Sequence, residues 1–382
     1  MATAPALQPK PWYDARWLTY ILGATVFGLI MAFSASYPNA SRGTDDVPGD
    51  AFHFFRMHAL FVVIGLAMLA LMAIPRPLFH GRASLYAFIA SLAGMAACII
   101  ICLATHERQR GAMQWLTIGP FRLQPSEFAK LFFVAYVAEK LSLGPVFGKT
   151  FPKVGYKILL AAAAFGLLLI IQGDQGMAVL VFLIMLGMCY LGGVHFKAIA
   201  VALGAAAMAA TAIALMSTER LDRILSWLDP VGHIKSAGYH ILTMLVATSR
   251  GYIFGLGLGT SPEKWRVMPE AHTDSIFCVI GSELGLIGMA GLLLLMVVIV
   301  RRAFRVAQWS GDNVGYFLAS GLGFMLAIQA LINMAVATNM MPVTGLTLPY
   351  ISYGGSSLIS CLMAAGMIMS VYRHNPAPRK EE

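Results

Sequence analysis

The sequence predicts an all-α, polytopic membrane protein with about ten transmembrane helices, and three observations predict it. Hydrophobic residues fill 58% of the 382 positions and charged residues 12%, against roughly 25% charged in a soluble globular chain. One aqueous core could not hide so much apolar surface, so lipid must cover part of it. The apolar residues come in runs of about twenty, the length that crosses a bilayer as a helix. The basic residues favour alternate connections between those runs. That scatter also explains the formal net charge of +9 without nucleic acid as a partner.

The runs lie near residues 17–36, 55–75, 83–105, 125–143, 155–172, 176–194, 196–216, 274–300, 315–337 and 350–373. The first carries a passable small-residue cleavage site, Ala32-Phe33-Ser34-Ala35. Its length and the spans that follow make it an uncleaved first helix rather than a signal peptide. The fourth is the least apolar, since it holds Glu127, Lys130, Glu139 and Lys140. Short links between the fifth, sixth and seventh leave room for one of them to be tilted or partly re-entrant.

With the N-terminus inside, the cytoplasmic connections hold Lys10 and Arg16, Arg76 and Arg82, Lys140, Lys149 and Lys153, then Lys197, then Arg301, Arg302 and Arg305, and finally Arg373, Arg379 and Lys380. The first outside loop holds Asp45, Asp46 and Asp50 against Arg42. Both termini, 1–16 and 374–382, are therefore expected to be cytoplasmic tails of a single integral membrane domain spanning 1–382. Residues 217–273 form one long extracytoplasmic loop between the seventh and eighth spans. A loop of that length in a compact bundle is usually functional. The stretch Tyr239 to Val246 suggests amphipathic helices lying on the membrane surface within it. The five cysteines, Cys98, Cys102, Cys189, Cys278 and Cys361, have neither metal nor disulfide spacing and read as packed thiols.

Three blocks put charge or dense polarity at membrane level, where it is costly and usually functional. In the first, Gly111 to Lys130, Pro125 suits the first position of a helix and Glu127 its first turn. Glu127 and Lys130 are three apart and share a face, so an internal ion pair is the bland explanation. Arg122 and Lys130 together ask for more: two cations facing one cavity suit a diphosphate or another anion. The second block is Pro269 to Phe277, where Glu270, His272 and Asp274 crowd one short segment. Thr273 or Asp274 could N-cap the next helix. A carboxylate at the rim of an apolar cavity could instead serve as a general base. Glu283, nine residues on, must face the interior, paired with a cation or within a polar pathway. In the third, Met341 to Ser357, prolines and glycines break the helix beside a span, which survives only inside protein or along a wet cavity. Tight helix packing competes as the reason for Gly354 to Ser357. Asp174, in Gln172-Gly173-Asp174-Gln175-Gly176, is adequately explained as a turn residue. Gly255-Leu256-Gly257-Leu258-Gly259 lacks a strand–turn–helix setting, so no nucleotide cofactor is expected.

These blocks resemble, in order and across nearly the whole chain, those of the SEDS family (shape, elongation, division and sporulation) of peptidoglycan glycosyltransferases, with a lean to its FtsW branch over RodA. Gly111 to Lys130 resembles the GAxRW…QPSExxK block, Pro269 to Glu283 the PEAHTDFIFAVIGEELG block, and Gly345 to Ser357 the GLxLPFISYGGSS block. The resemblance implies metal-assisted or acid–base glycosyl transfer at the outer face of the bacterial cytoplasmic (inner) membrane, for division or elongation. The donor would be a glycan on undecaprenyl diphosphate and the acceptor the 4-hydroxyl of lipid II. It implies Asp274 as catalytic base, or as ligand of a divalent cation, Mg or Mn. Arg122 and Lys130 would clamp the diphosphate, with Gln124, Glu127, Glu270, His272, Ser356 and Ser357 as further substrate-binding side chains. It also implies a class B penicillin-binding protein, a transpeptidase, as partner.

The chain departs from the pattern at Gln114, usually arginine, whose cation could come from Arg108 or Arg110. Gln172 to Gly176 replaces QPDLG, Ser282 the first glutamate of GEELG, and Ser275 and Cys278 the commoner Phe and Ala. Two other classes compete: a lipid II flippase, and a non-catalytic scaffold for a transpeptidase. A flippase needs a polar path through the whole bilayer and usually an internal repeat, and no repeat is visible. A scaffold would not need Asp274.

Overall fold

The computed structural model describes residues 14–43, 49–74, 81–105, 112–119, 121–144, 151–215, 218–266, 268 and 270–374. Within them the chain is mainly helical, with one small hairpin and several irregular connections. The helices are α1 (Ala15–Arg42), α2 (His53–Met72), α3 (Arg82–Thr105), α4 (Pro125–Ser142), α5 (Phe151–Gln172), α6 (Gln175–Leu191), α7 (Phe196–Leu215), α8 (Thr218–Leu228), α9 (Ala237–Arg250), α10 (Pro262–Arg266), α11 (Ile276–Gln308), α12 (Asn313–Ala337) and α13 (Gly355–Arg373). Strands β1 (Leu116–Ile118) and β2 (Phe121–Leu123) pair antiparallel between α3 and α4, with Thr117 opposite Arg122.

Each of the ten expected runs holds a helix, but seven are long and apolar enough to cross a membrane: α1, α2, α3, the Gly155–Gln172 part of α5, α11, α12 and α13. The other three fall short for visible reasons. α4 carries Glu127, Lys130, Glu139 and Lys140, while α6 and the apolar part of α7, Phe196–Met208, are short. The last helix starts at Gly355 rather than near 350, because residues 341–354 run as irregular backbone. The expected amphipathic helices of the long loop are present as α8 and α9, and α9 contains the Tyr239–Val246 stretch.

The apolar window of α13 is 83% buried and that of α12 72%, against 22% for α2, so α12 and α13 form the centre of the bundle and α2 an outer wall. Close packing of α2 on α13 needs a small residue: a Cβ on Gly355 would lie 2.6 Å from the Phe61 ring. At one end of the bundle Asp14 caps α1 and meets Arg302 of α11 at 2.6 Å, with its backbone N–H on Met369 Sδ of α13 at 3.2 Å. At the other end lie the hairpin and the starts of α4, α6, α11 and α13.

α11 is broken at Gly285 (φ 66°, ψ −163°). The glycine series of the long loop crosses that break and supplies the backbone partners the helix loses. Leu256 N–H donates to Ser282 O and Gly257 N–H to Glu283 O, each at 3.0 Å, while Leu286 N–H donates to Tyr252 O at 2.9 Å. A Cβ on Gly255 would lie 2.1 Å from Glu283 O, so glycine there serves close backbone approach.

Candidate active site

The site is assembled where α4, α6, α11 and α13 begin, so several helix N-termini, with their unpaired N–H groups and positive dipole ends, gather in one region. Gln124 is the hub for two of them. Its backbone N–H donates to Ser356 Oγ in the first turn of α13 at 2.9 Å, and its Nε2 donates to Asp174 Oδ2 at the start of α6 at 2.9 Å. Ser356 Oγ in turn donates to Arg122 O at 3.5 Å, which fixes the end of β2. The Arg122 side chain stands exposed on that strand.

Lys130 lies deeper and is fully buried. It forms an ion pair with Glu127 and donates to Gln329 Oε1 of α12 at 2.8 Å. Glu127 Oε2 also accepts from Ser360 Oγ at 2.9 Å. Gln329 Nε2 donates to Thr347 O at 3.0 Å, and the Thr347 and Ser357 hydroxyls are 2.6 Å apart. The two cations lie in different settings: Arg122 is exposed on β2, whereas Lys130 is buried against Glu127 and linked through Gln329 to Thr347 and Ser357. The cost of burying an ammonium selects a carboxylate partner one turn away.

The segment before α11 is tightly turned. Glu270 has φ +50°, and its carbonyl accepts from Thr273 N–H at 3.1 Å and Ser275 N–H at 3.3 Å. The Thr273 hydroxyl has Glu270 O and Oε2 at 3.1 Å and Asp274 Oδ1 at 3.2 Å, so its one proton is within reach of both carboxylates. Asp274 is half-buried. Its carbonyl accepts from Asn333 Nδ2 at 2.9 Å, and the same amide donates to Leu346 O at 2.7 Å. The N-cap position of α11 falls on Ser275, one residue beyond the two candidates. The Ser275 hydroxyl is 2.8 Å from His240 Nε2 of α9.

Tyr353 ties this segment to the rest. Its N–H donates to His272 O at 2.8 Å, and its ring sits 5.2 Å from the His272 ring and 5.3 Å from Phe54 of α2. Burial pushes its phenol up to about 12, and nearby Arg122 partly offsets this. His272 is lowered by burial, with Glu270 opposing. Thus the hairpin, the Glu270–Asp274 turn and the irregular 341–354 segment all meet around one aromatic side chain.

Asp174 is more than a turn residue. It caps α6 by accepting from Met177 N–H at 3.0 Å. In the amide orientation that satisfies both its ends, Gln114 donates to Asp174 Oδ2 at 2.8 Å and accepts from Trp115 Nε1 at 3.2 Å. Burial raises Asp174 to about 6. The missing Gln114 cation is thus met by a neutral amide pair, Gln114 and Gln124, on a carboxylate that is itself easier to protonate. Arg108, Arg110, Gly111 and Pro269 lie outside the described residues.

Glu283 has the interior cation expected of it. Lys264 of α10 meets Glu283 Oε1 at 2.5 Å, and donates to Ser34 Oγ of α1 at 2.9 Å and Ser34 O at 3.1 Å. Both charged side chains are buried. The long loop is thereby pinned to α1 and α11.

Glu270 and His272 share the turn of Asp274, and Gln124 and Ser356 are tied to the end of β2 beside Arg122, whereas Ser357 joins the buried Lys130–Glu127 network through Thr347 and Gln329. Phe54, His58 and Phe61 of α2 were not anticipated. They recur at i, i+4 and i+7 and face Tyr353, at 5.3, 5.5 and 6.4 Å between ring centroids. The available signal was His58, two residues after Arg56, at the start of an apolar run. Among the described residues no group of three or more His, Cys, Asp or Glu side chains stands ready to hold a metal. Two carboxylates on one hydroxyl do suit a hard divalent cation that keeps water and substrate oxygens as its other ligands.

Fold and site define a multi-pass membrane protein with an acid- and cation-bearing site at one end of its helices. The chain belongs to the FtsW/RodA/SpoVE family of cell cycle proteins, whose family model it matches over residues 15–377. It is 36% identical over 362 residues to a probable peptidoglycan glycosyltransferase FtsW of Nitrosococcus halophilus, covering 92% of this chain and 91% of that one. It is 33% identical over 383 residues to the Aliivibrio salmonicida protein of the same name, covering 98% and 94%. In structure it is similar to a chain of a solved peptidoglycan synthase complex described as coordinating polymerization and crosslinking, with TM-score 0.77, 26% identity, and 95% and 98% of the two chains covered. The Thermus thermophilus rod shape determining protein RodA shares the fold, with TM-score 0.69, 24% identity, and 96% and 98% covered.

Proposed function

We infer that this protein is a peptidoglycan glycosyltransferase that polymerises lipid II at the outer face of the cytoplasmic membrane. Relatives named for that activity align along nearly its whole length. The observation that carries the site assignment is the Thr273 hydroxyl within reach of the Glu270 and Asp274 carboxylates, in a turn tied through Tyr353 to exposed Arg122. Asp274 takes the proton from the 4-hydroxyl of the lipid II acceptor sugar. That oxygen attacks the anomeric carbon of the glycan donor, and the carbon–oxygen bond to undecaprenyl diphosphate breaks with its electron pair passing to the diphosphate. Arg122 and the gathered helix N-termini stabilise that leaving charge. Gln124 and Ser356 hold the hairpin and α13 in register, Ser357 braces the 341–354 segment through Thr347, and His272 and Glu270 shape the acceptor side. A divalent cation, Mg or Mn, would be held by Asp274 and Glu270 together with substrate oxygens, and when bound would neutralise diphosphate charge.

In this reading the ten expected runs cross the membrane with both termini cytoplasmic, so the long loop 217–273 and this site would face outside. The shared end of α1, α11 and α13 at Asp14, Arg302 and Met369 agrees with that orientation. A class B penicillin-binding protein is the partner that would crosslink the product, and the structural likeness to a synthase complex supports it. The buried Lys264–Glu283 and Lys130–Glu127 pairs are each neutralised within the protein.

The test is fluorescent lipid II given to the purified protein with its transpeptidase partner. Wild type should form glycan strands and Asp274→Ala should leave the lipid unpolymerised. If wild type forms none, the enzyme reading fails. If Asp274→Ala matches wild type, the site assignment fails.

A further inference from the structure

We propose that His58, with His272, forms a sugar-binding subsite on the α2 side of the active site, recognising the uncharged hydroxyl and amide groups of the acceptor sugar. His58 is 1% exposed, and neither of its ring nitrogens has a hydrogen-bond partner among the described residues; His272 Nδ1 is buried without one as well. A buried imidazole normally has at least one nitrogen paired, because an unmet polar group bears its full desolvation cost. A residue kept for packing alone would be Phe or Leu.

The surroundings say what would meet those nitrogens. His58 stacks on Tyr353, with ring centroids 5.5 Å apart and planes 28° apart. His272 lies against the same Tyr353 ring and 4.7 Å from Phe54. Phe61 and Phe121 extend the wall at 6.1 Å from each other. Aromatic faces interleaved with neutral donor–acceptor groups match a pyranose, whose C–H face stacks while its hydroxyls and acetamido group hydrogen-bond. A phosphate would instead call for the exposed cation, and Arg122 occupies that part of the site. His272 is two residues from Asp274, so the sugar held here is the one whose hydroxyl Asp274 deprotonates. This assignment rests on the glycosyltransferase reading above.

The experiment is steady-state polymerisation of fluorescent lipid II by the full chain with its transpeptidase partner, alongside thermal unfolding of the same preparations. His58→Phe keeps the stacking and removes the hydrogen bonds. It should lower kcat/KM about tenfold, chiefly through KM, the loss of about one hydrogen bond, while its Tm stays level or rises. His58→Gln should recover most of the KM. An unchanged KM in His58→Phe overturns the proposal, and so does an equal loss in His58→Gln and His58→Phe, which would make the imidazole a packing element. Asp274→Ala in the same assay separates the two failures. If Asp274→Ala is active or wild type is not, the reading beneath falls; if Asp274→Ala is dead and the His58 variants keep the wild-type KM, only the subsite falls.

Discussion

Two kinds of polar residue sit in this bundle. The Glu127–Lys130 and Lys264–Glu283 pairs are buried, mutually neutralised and given further partners in Ser360, Gln329 and Ser34. Around Tyr353, by contrast, Arg122 is exposed, Asp274 is half-buried, and His58 and His272 carry unpaired ring nitrogens. Charges met by protein hold helices together. Groups that stand exposed or half-buried at one end of the same helices, Arg122 and Asp274, are placed where a substrate can reach them. Polar residues in a membrane protein are therefore informative only once their partners are known.

Breaking the first kind should show in stability. Lys264→Ala leaves Glu283 buried without a cation and should destabilise the protein by about 3–5 kcal/mol, read as a lower Tm in detergent. The double variant Lys264→Met with Glu283→Leu should recover most of it, together with polymerisation per folded molecule. A Lys264→Ala protein with wild-type Tm would erase the distinction.

Disturbing the second kind should show in activity alone. Arg122→Ala should cut polymerisation roughly 10- to 100-fold by removing one charge-stabilising donor, with little change in Tm because the side chain is exposed. Arg122→Lys should regain part of the rate.

The smallest effect concerns Asp174, which lies between the two kinds. Its folded value, raised from 3.8 to about 6, means the folded state binds its proton more tightly than the unfolded chain. The protonated form is favoured by folding, so that stabilisation is fully present below pH about 4 and is lost as pH rises through about 6. Tm should therefore carry a component that falls between those limits, and Asp174→Asn should remove it. A wild-type slope that survives in Asp174→Asn would assign the titration elsewhere.

How much of this was legible in the sequence follows the same division. The helices were, because a window of about twenty apolar residues is a local signal. The start of α13 was not, because the Tyr350 to Gly354 stretch looks apolar while its backbone, with Tyr350 at φ +64°, is not helical. The three polar blocks were legible from their density. Which buried charges find a cation was not, because, apart from the i, i+3 contact of Glu127 and Lys130, those contacts are tertiary. Lys264 answers Glu283 through a loop, and Gln329 reaches Lys130 from a helix 199 positions away in sequence. His58 is not legible as a site residue, because a histidine at the start of an apolar run looks like core until its neighbours are seen.

The most direct test of the central claim is Asp274→Asn, assayed for fluorescent lipid II polymerisation and thermal unfolding on one preparation with the transpeptidase partner present. The expected result is a rate loss of about 10²- to 10⁴-fold, the range for a removed general base, at an unchanged Tm. A variant that polymerises at the wild-type rate, or one that loses activity only because it no longer folds, would contradict it.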